Sequence, residues 1–283
     1  MNPAPPLPTA NDSNIHPLEE ILNDCEIHGV DVLALQDIHA KASNAQRHMN
    51  FCLQSHVTTS KKPHSNGSFN QTTAILSRKS TCSALVNRWK GFDGRVTSQT
   101  FSLGPHASLR SKTRVVILSV YAPTSRCTDR AEFFTKLAIL IVSLRKQKKL
   151  VILTGDLNLA PSDHDRSSKL DYNNERAIFA LFLKTTGLLD AFREKHPDLP
   201  AASYRKTAQS GLQTSRIDHI LVDPLLQHAI IGAKILTHKS FIASDQGDHR
   251  MVIVHFNKSM IFGKPPPPQP PRPRATPPPV CTP

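Results

Sequence analysis

The stretch Leu150-Val151-Ile152-Leu153-Thr154-Gly155-Asp156-Leu157-Asn158-Leu159-Ala160-Pro161 decides the fold. Its opening apolar run predicts a strand covered on both faces, because a strand exposed on one side alternates instead. The run meets Gly-Asp-x-Asn and stops at a proline. Strand residues two apart project to the same side, so Asp156 and Asn158 are expected to leave the strand end together. A carboxylate there can orient or deprotonate water, and a carboxamide can donate to a phosphate oxygen. The alternative is an Asx turn that only closes the strand.

With 283 residues the chain is long enough for one large α/β domain or two small ones. Apolar residues make up 39% of it, enough to bury a sizeable core. The net charge of +13 is spread along the chain, which favours a polyanionic partner such as nucleic acid. No 18-residue apolar run is present and the start lacks a signal-peptide core, which argues against a membrane. Cys25, Cys52, Cys82, Cys127 and Cys281 are scattered and odd in number. They read as reduced thiols of an intracellular protein, nuclear or cytoplasmic and not secreted.

Residues 1–13 are Pro-rich without apolar periodicity and are expected to be disordered. A domain is expected over 14–257, and 258–283 forms a Pro-rich tail or linker. Upstream of the anchor strand, Leu18, Ile21, Leu22 and Cys25 make one helical stripe that Gly29 ends. Val30 to Leu35 then predicts a strand delivering Gln36 and Asp37. Further strands are expected within 41–71, at Thr73–Leu76, at Arg95–Leu103 and at Arg114–Val120, the last ending in Tyr121-Ala122-Pro123. Ala131–Arg145 predicts a helix with Phe134, Leu137, Ala138, Ile141 and Leu144 buried and basic residues at its C-terminal end. Downstream come a helix through Ile178, Leu181 and Phe182, the strand Arg216–Val222, and the strand Met251–Phe256 after Gly247-Asp248-His249. Cys25-x2-His28 and His48-x3-Cys52 have zinc-like spacing, but Cys25 lies on the apolar stripe, so zinc is not expected.

Asp37, Tyr121, Asp156, Asn158, Asp218, Asp248 and His249 all stand at ends of expected strands. Singly, each has a plain reading: a loop carboxylate for Asp37, a half-buried strand residue for Tyr121, a surface histidine for His249. Their joint order is the stronger signal. Leu35-Gln36-Asp37, Val120-Tyr121-Ala122-Pro123, Gly155-Asp156-Leu157-Asn158, Arg216-Ile217-Asp218-His219-Ile220-Leu221 and Gly247-Asp248-His249 succeed one another at wide spacing. This order resembles the endonuclease/exonuclease/phosphatase superfamily, the metal-dependent phosphodiesterase fold of deoxyribonuclease I-like and abasic-site endonucleases. Within it, the chain looks most like the endonuclease domains of non-LTR retrotransposons.

The resemblance implies a four-layer α/β sandwich, with two mixed β-sheets packed face to face and helices flanking them. It also implies metal-dependent cleavage of DNA. Asp37 and Asp248 are expected at a magnesium (or manganese) ion, Asp156 and Asn158 at the attacking water, His249 paired with Asp218 at the scissile phosphate, and Tyr121 at a phosphate oxygen. A reverse transcriptase in a longer parent protein is the expected partner besides DNA. Ser162-Asp163-His164 also spells the family's Ser-Asp-His, but no apolar strand follows it, so no contact with substrate is expected there. Two features depart from the family. Asp37 stands where it has Glu, and the strand ending in a metal-binding Asn is replaced by the Pro-rich start, where Asn11 and Asn14 follow no apolar run. The alternatives are therefore a degenerate remnant that binds DNA with little or no turnover, or a phosphoesterase of the same fold acting on small or lipid phosphates.

Overall fold

The computed structural model describes residues 17–36, 55–63, 69–78, 85–102, 114–124, 127–167, 173–208, 211–236 and 249–262. The expectations for residues 1–13 and 264–283, and those for Asp37, His48, Cys52 and Asp248, lie outside the described residues. The chain opens with α1 (Pro17–Ile27), which buries Cys25. Gly29, at φ +60, turns the chain out of it, and Val30 N–H reaches back to the Cys25 carbonyl at 2.8 Å. There follow β1 (Val32–Gln36), β2 (Ser55–Pro63), β3 (Phe69–Arg78), β4 (Leu85–Gly91), β5 (Val96–Ser102) and β6 (Arg114–Tyr121). Helix α2 (Cys127–Lys146) leads to β7 (Lys149–Asp156), the anchor strand. Then come α3 (Asn173–Thr186), β8 (Leu189–Asp190), α4 (Ala191–Lys195), β9 (Tyr204–Ala208), β10 (Gly211–Ser215), β11 (Asp218–Val222), β12 (Ile230–Ile235), β13 (Val252–Phe256) and α5 (Lys258–Phe262). The described fold thus continues past residue 257, with Ile261 buried.

Six strands form one mixed sheet in the order β4-β5-β6-β7-β11-β8. Its parallel pair is β6 with β7, joined by the α2 crossover. Both faces of the centre are covered, which is why β6 and β7 read as continuous apolar runs. On one face, Phe133, Phe134, Leu137 and Ile141 of α2 and Phe179 and Phe182 of α3 pack on Leu118, Val120, Val151, Leu153 and Leu221. The expected helix through Ile178, Leu181 and Phe182 is α3, in which Phe179 and Phe182 are buried and Leu181 is 63% exposed. The helix turns the face centred on Phe179 and Phe182 inward.

The other face meets the second layer, an antiparallel β1-β3-β2 sheet and the β12-β13 ribbon. Around β13 the contact is apolar, with Val115, Leu150, Ile152 and Val222 against Val254 and Phe256. Under β1 and β3 it is polar. Thr97 Oγ1 donates to Thr73 Oγ1 at 3.1 Å, Gln99 Nε2 to the Ile75 carbonyl at 3.2 Å, and Gln36 Nε2 to Ser119 Oγ at 2.9 Å. The last bond lays the end of β1 over β6, two residues before Tyr121. Cys25 sits in an apolar cluster with Leu33, Ala74 and Leu76, and burial pushes its thiol up to about 12. His28 Nδ1 lies 3.0 Å from the Lys234 ammonium.

Candidate active site

Pairing register builds the site. Tyr121 on β6 is opposite Asp156 on β7, and Asp156 is opposite Asp218 on β11. Cross-strand partners project to the same side, so the three form a row across the end of the sheet. Gly155 makes this row possible. Its φ is +147, and a Cβ there would lie 1.9 Å from the Val120 carbonyl oxygen. Only a residue without a side chain lets β7 close on β6 one step before the carboxylate.

Asn158 departs from the expected geometry. The strand ends at Asp156, and Asn158 has the left-handed φ of +51, so period-two alternation does not bring the two together. An Asx turn does: Asn158 N–H donates to Asp156 Oδ1 at 2.9 Å. The carboxamide Nδ2 donates to the Ala122 carbonyl at 3.0 Å, which fixes its direction at the end of β6. The turn read as the plain alternative is the device that joins carboxylate to carboxamide.

His249 comes from a different segment. It bridges to Tyr204 at the start of β9 and packs against that ring, tilted by 56° with the centroids 4.9 Å apart, while Arg250 N–H donates to the Ser203 carbonyl at 2.6 Å. This seats His249 Nδ1 2.9 Å from Asp218 Oδ2. With the carboxylate as acceptor, Nδ1 carries the proton and Nε2 is the nitrogen presented outward. Asp156, Asp218 and His249 each offer an atom within 4.8 Å of the others. Asp156 is 6% exposed and His249 is the most open of the three.

Sequence reasoning missed several residues around this group. Ser203 is fully buried, and its Oγ donates to Asp218 Oδ2 at 2.6 Å while accepting from Asp218 N–H at 3.0 Å and Ile217 N–H at 3.2 Å. Nothing around Ala202-Ser203-Tyr204 marks it out in the sequence. Arg95 places its guanidinium 5.4 Å from the Tyr121 ring centroid and donates to the Tyr121 carbonyl at 3.2 Å. Its position after the Gly94 turn was the available signal.

Arg216 and Asp165 are structural. Arg216 is 1% exposed, with Nε 2.5 Å from Asp165 Oδ1 and Nη2 2.8 Å from Asp190 Oδ2. Its Nη1 faces His219 Nδ1 at 3.1 Å, and His219 Nε2 donates to the Leu159 carbonyl at 2.8 Å. Burial pushes the Asp190 carboxyl up, but the His219 hydrogen bond and the Arg216 charge outweigh it and hold it well below the usual carboxylate range. Asp165 is likewise lowered against its burial, by Arg216, Ser162 and Arg193. Ser162 of the Ser162-Asp163-His164 loop serves this network by donating to Asp165 at 2.6 Å, whereas the exposed Asp163 pairs with Arg176.

An exodeoxyribonuclease of Bacillus subtilis is 36% identical over 137 residues, covering 43% of this chain and 54% of the relative. An uncharacterized 149 kDa protein of transposon TX1 from Xenopus laevis is 27% identical over 168 residues, covering 55% of this chain and 12% of the relative. The chain thus spans about half or less of the curated relatives it matches. Among solved structures, the 3′ phosphatase NExo from Neisseria bound to a product DNA hairpin superposes with a TM-score of 0.68 at 21% identity, covering 85% of this chain and 94% of that one. An AP endonuclease from Archaeoglobus fulgidus gives 0.65 at 18%, with the same coverage. These likenesses bear on the fold. The endonuclease/exonuclease/phosphatase family model matches residues 8–246, which is most of the chain. On that match, the chain belongs to the Endonuclease/Exonuclease/phosphatase family.

Proposed function

We propose that the site hydrolyses DNA phosphodiesters as a metal-dependent endonuclease of the retroelement type, in a chain that forms part of a longer protein with a reverse transcriptase. The observation that carries the reading is the convergence of Asp156, Asp218 and His249 from three distant segments at one strand end. A net charge of +13 suits a polyanion, gripped through its backbone with little sequence preference. The small share of the transposon relative that aligns, 12%, suits a domain of a larger polypeptide.

The residues present fit a divalent cation. Two carboxylates lie within 4.8 Å of one another, a like-charge approach that a cation relieves. Asp218 Oδ2 already receives Ser203 and His249; the expected ligands are Asp37 and Asp248, hard oxygen donors suited to magnesium or manganese, which lie outside the described residues. Such an ion, when bound, neutralises phosphate charge and stabilises the leaving alkoxide. Asp156, anchored by the Asn158 amide, orients and activates the attacking water. Asn158 fixes that water or a phosphate oxygen. His249, held by Asp218 through Nδ1–H, donates from Nε2 to the scissile phosphate, or passes it a proton, in its doubly protonated form. Tyr121 donates to a phosphate oxygen.

The test is nicking of supercoiled plasmid with magnesium. Nicking should be EDTA-sensitive and weak, because Asp37 is shorter than the family's Glu; Asp37→Glu should raise it. His249→Ala or Asp156→Ala should lower the rate by about 10²-fold or more while DNA binding persists. Nicking that survives EDTA, or is unchanged in both alanine variants, removes the site from consideration. DNA binding without any nicking would point to a remnant that has lost turnover.

A further inference from the structure

Asn158 holds an energetically unfavoured backbone conformation at the centre of the site, so something must hold it there. Its φ of +51 is uncommon for a residue with a side chain. One restraint is local, the Asp156 hydrogen bond, and a second ties the carboxamide to the Ala122 carbonyl, 36 residues away. The third comes from 28 residues away: Arg130 Nη1 donates to the Asn158 carbonyl at 3.1 Å.

Arg130 is poorly placed for any purpose of its own helix. It lies in the first turn of α2, where the helix dipole disfavours a cation. Compensation comes from Glu175 in the first turn of α3, whose Oε1 is 3.0 Å from Arg130 Nη2 and whose Oε2 is 3.0 Å from Arg166 Nη2. The three side chains are only 13–15% exposed, so solvent screens them little. Glu175 therefore aims one guanidinium group along a fixed line from α3 to the Asn158 peptide. A lysine in its place has no planar fork with which to touch both partners at once.

We propose that Arg130 is a positioning residue for the reaction: it holds the Asn158 peptide in its left-handed conformation and so sets the direction of the Asn158 carboxamide. Without it the peptide can relax toward ordinary backbone conformations and swing the carboxamide away from the Asp156–His249 group. The proposal rests on the proposed role of Asn158, and its test separates the two.

Arg130→Met and Arg130→Lys are compared with the parent for plasmid nicking and for backbone amide hydrogen exchange. A misplacement of about 1 Å near a reacting group costs on the order of 10²-fold. Arg130→Met should therefore lower kcat roughly 10- to 100-fold with KM changed less than about twofold. Arg130→Lys should fall between it and the parent. Exchange should rise at residues 157–159 and stay unchanged in β5. Unaltered exchange at 157–159, a loss carried by KM alone, or faster exchange with kcat intact would each overturn the proposal. The exchange arm needs no turnover, so a parent protein without EDTA-sensitive nicking counts against the endonuclease reading while Arg130's hold on Asn158 is still decided. Should Arg130→Met not fold, Arg130→Lys carries both readouts.

Discussion

Ser203 shows how much of the site depends on a single buried hydroxyl. Its Oγ serves the two backbone amides that open β11 and the carboxylate oxygen that also holds His249. Removing it strands two buried N–H donors and frees Asp218 to turn. Ser203→Ala should cost about 1–3 kcal/mol of stability, the usual penalty for buried polar groups left unpaired. Nicking should drop about tenfold or more while plasmid affinity is kept, since no DNA contact is assigned to Ser203. Thermal unfolding and nicking on the same preparations check this. A variant as stable and active as the parent would show that His249 and Asp218 need no third partner. Ser203→Thr keeps the hydroxyl and should recover much of both losses.

Elements explain which parts of this arrangement could be read from the sequence. β6 and β7 were legible because burial on both faces leaves a continuous apolar run, and α2 because one face keeps its period of 3.6. The edge strand β4 was not, since Val86 to Lys90 are all exposed and carry no apolar pattern. The β9-β10 hairpin, which positions Ser203 and Tyr204, was missed because its polar strands pair with each other outside the core. In the site, Tyr121, Asp156, Asp218 and His249 could be named from motif order. The polar partners that aim them could not, because a long-range hydrogen bond such as Ser203 to Asp218 has no local signature. Gly155 lies between these cases. Its place in Gly-Asp-x-Asn is plain, but its reason, contact with the Val120 carbonyl, exists only once β6 and β7 are paired. Gly155→Ala should therefore destabilise the fold by about 3 kcal/mol or more, combining backbone strain with a steric clash. Chemical denaturation checks it; a loss under about 1 kcal/mol, the ordinary cost of a surface change, would mean that the strands can part without penalty.

Across the whole molecule, Arg216 joins three segments far apart in the chain. Asp165 follows the Gly-Asp-x-Asn loop, Asp190 opens α4, and Arg216 stands two residues before Asp218. The network is nearly sealed from solvent, so its charges must be balanced in place. Both carboxyls have folded-state pKa values below their usual range, whereas in the unfolded chain they titrate near about 4. The unfolded chain then binds more protons just below pH 4, so stability rises with pH there. Their contribution is complete above about pH 4 and is lost as pH falls through the depressed folded values. Asp190→Asn isolates this effect. Asparagine still offers an oxygen to Phe192 N–H and Arg193 N–H, the helix cap that Asp190 supplies, but no charge to Arg216. The variant should lose about 3–5 kcal/mol at neutral pH, as expected when one partner of a buried pair is removed. Its melting temperature should also fall less steeply than the parent's below pH 4, one depressed carboxyl having been taken out. Parallel acid limbs for the two proteins would show that Asp190 does not drive acid unfolding, whatever the neutral-pH loss. A shallower limb together with reduced nicking at neutral pH would tie the network to the site through Asp218, two residues from Arg216 on the same segment.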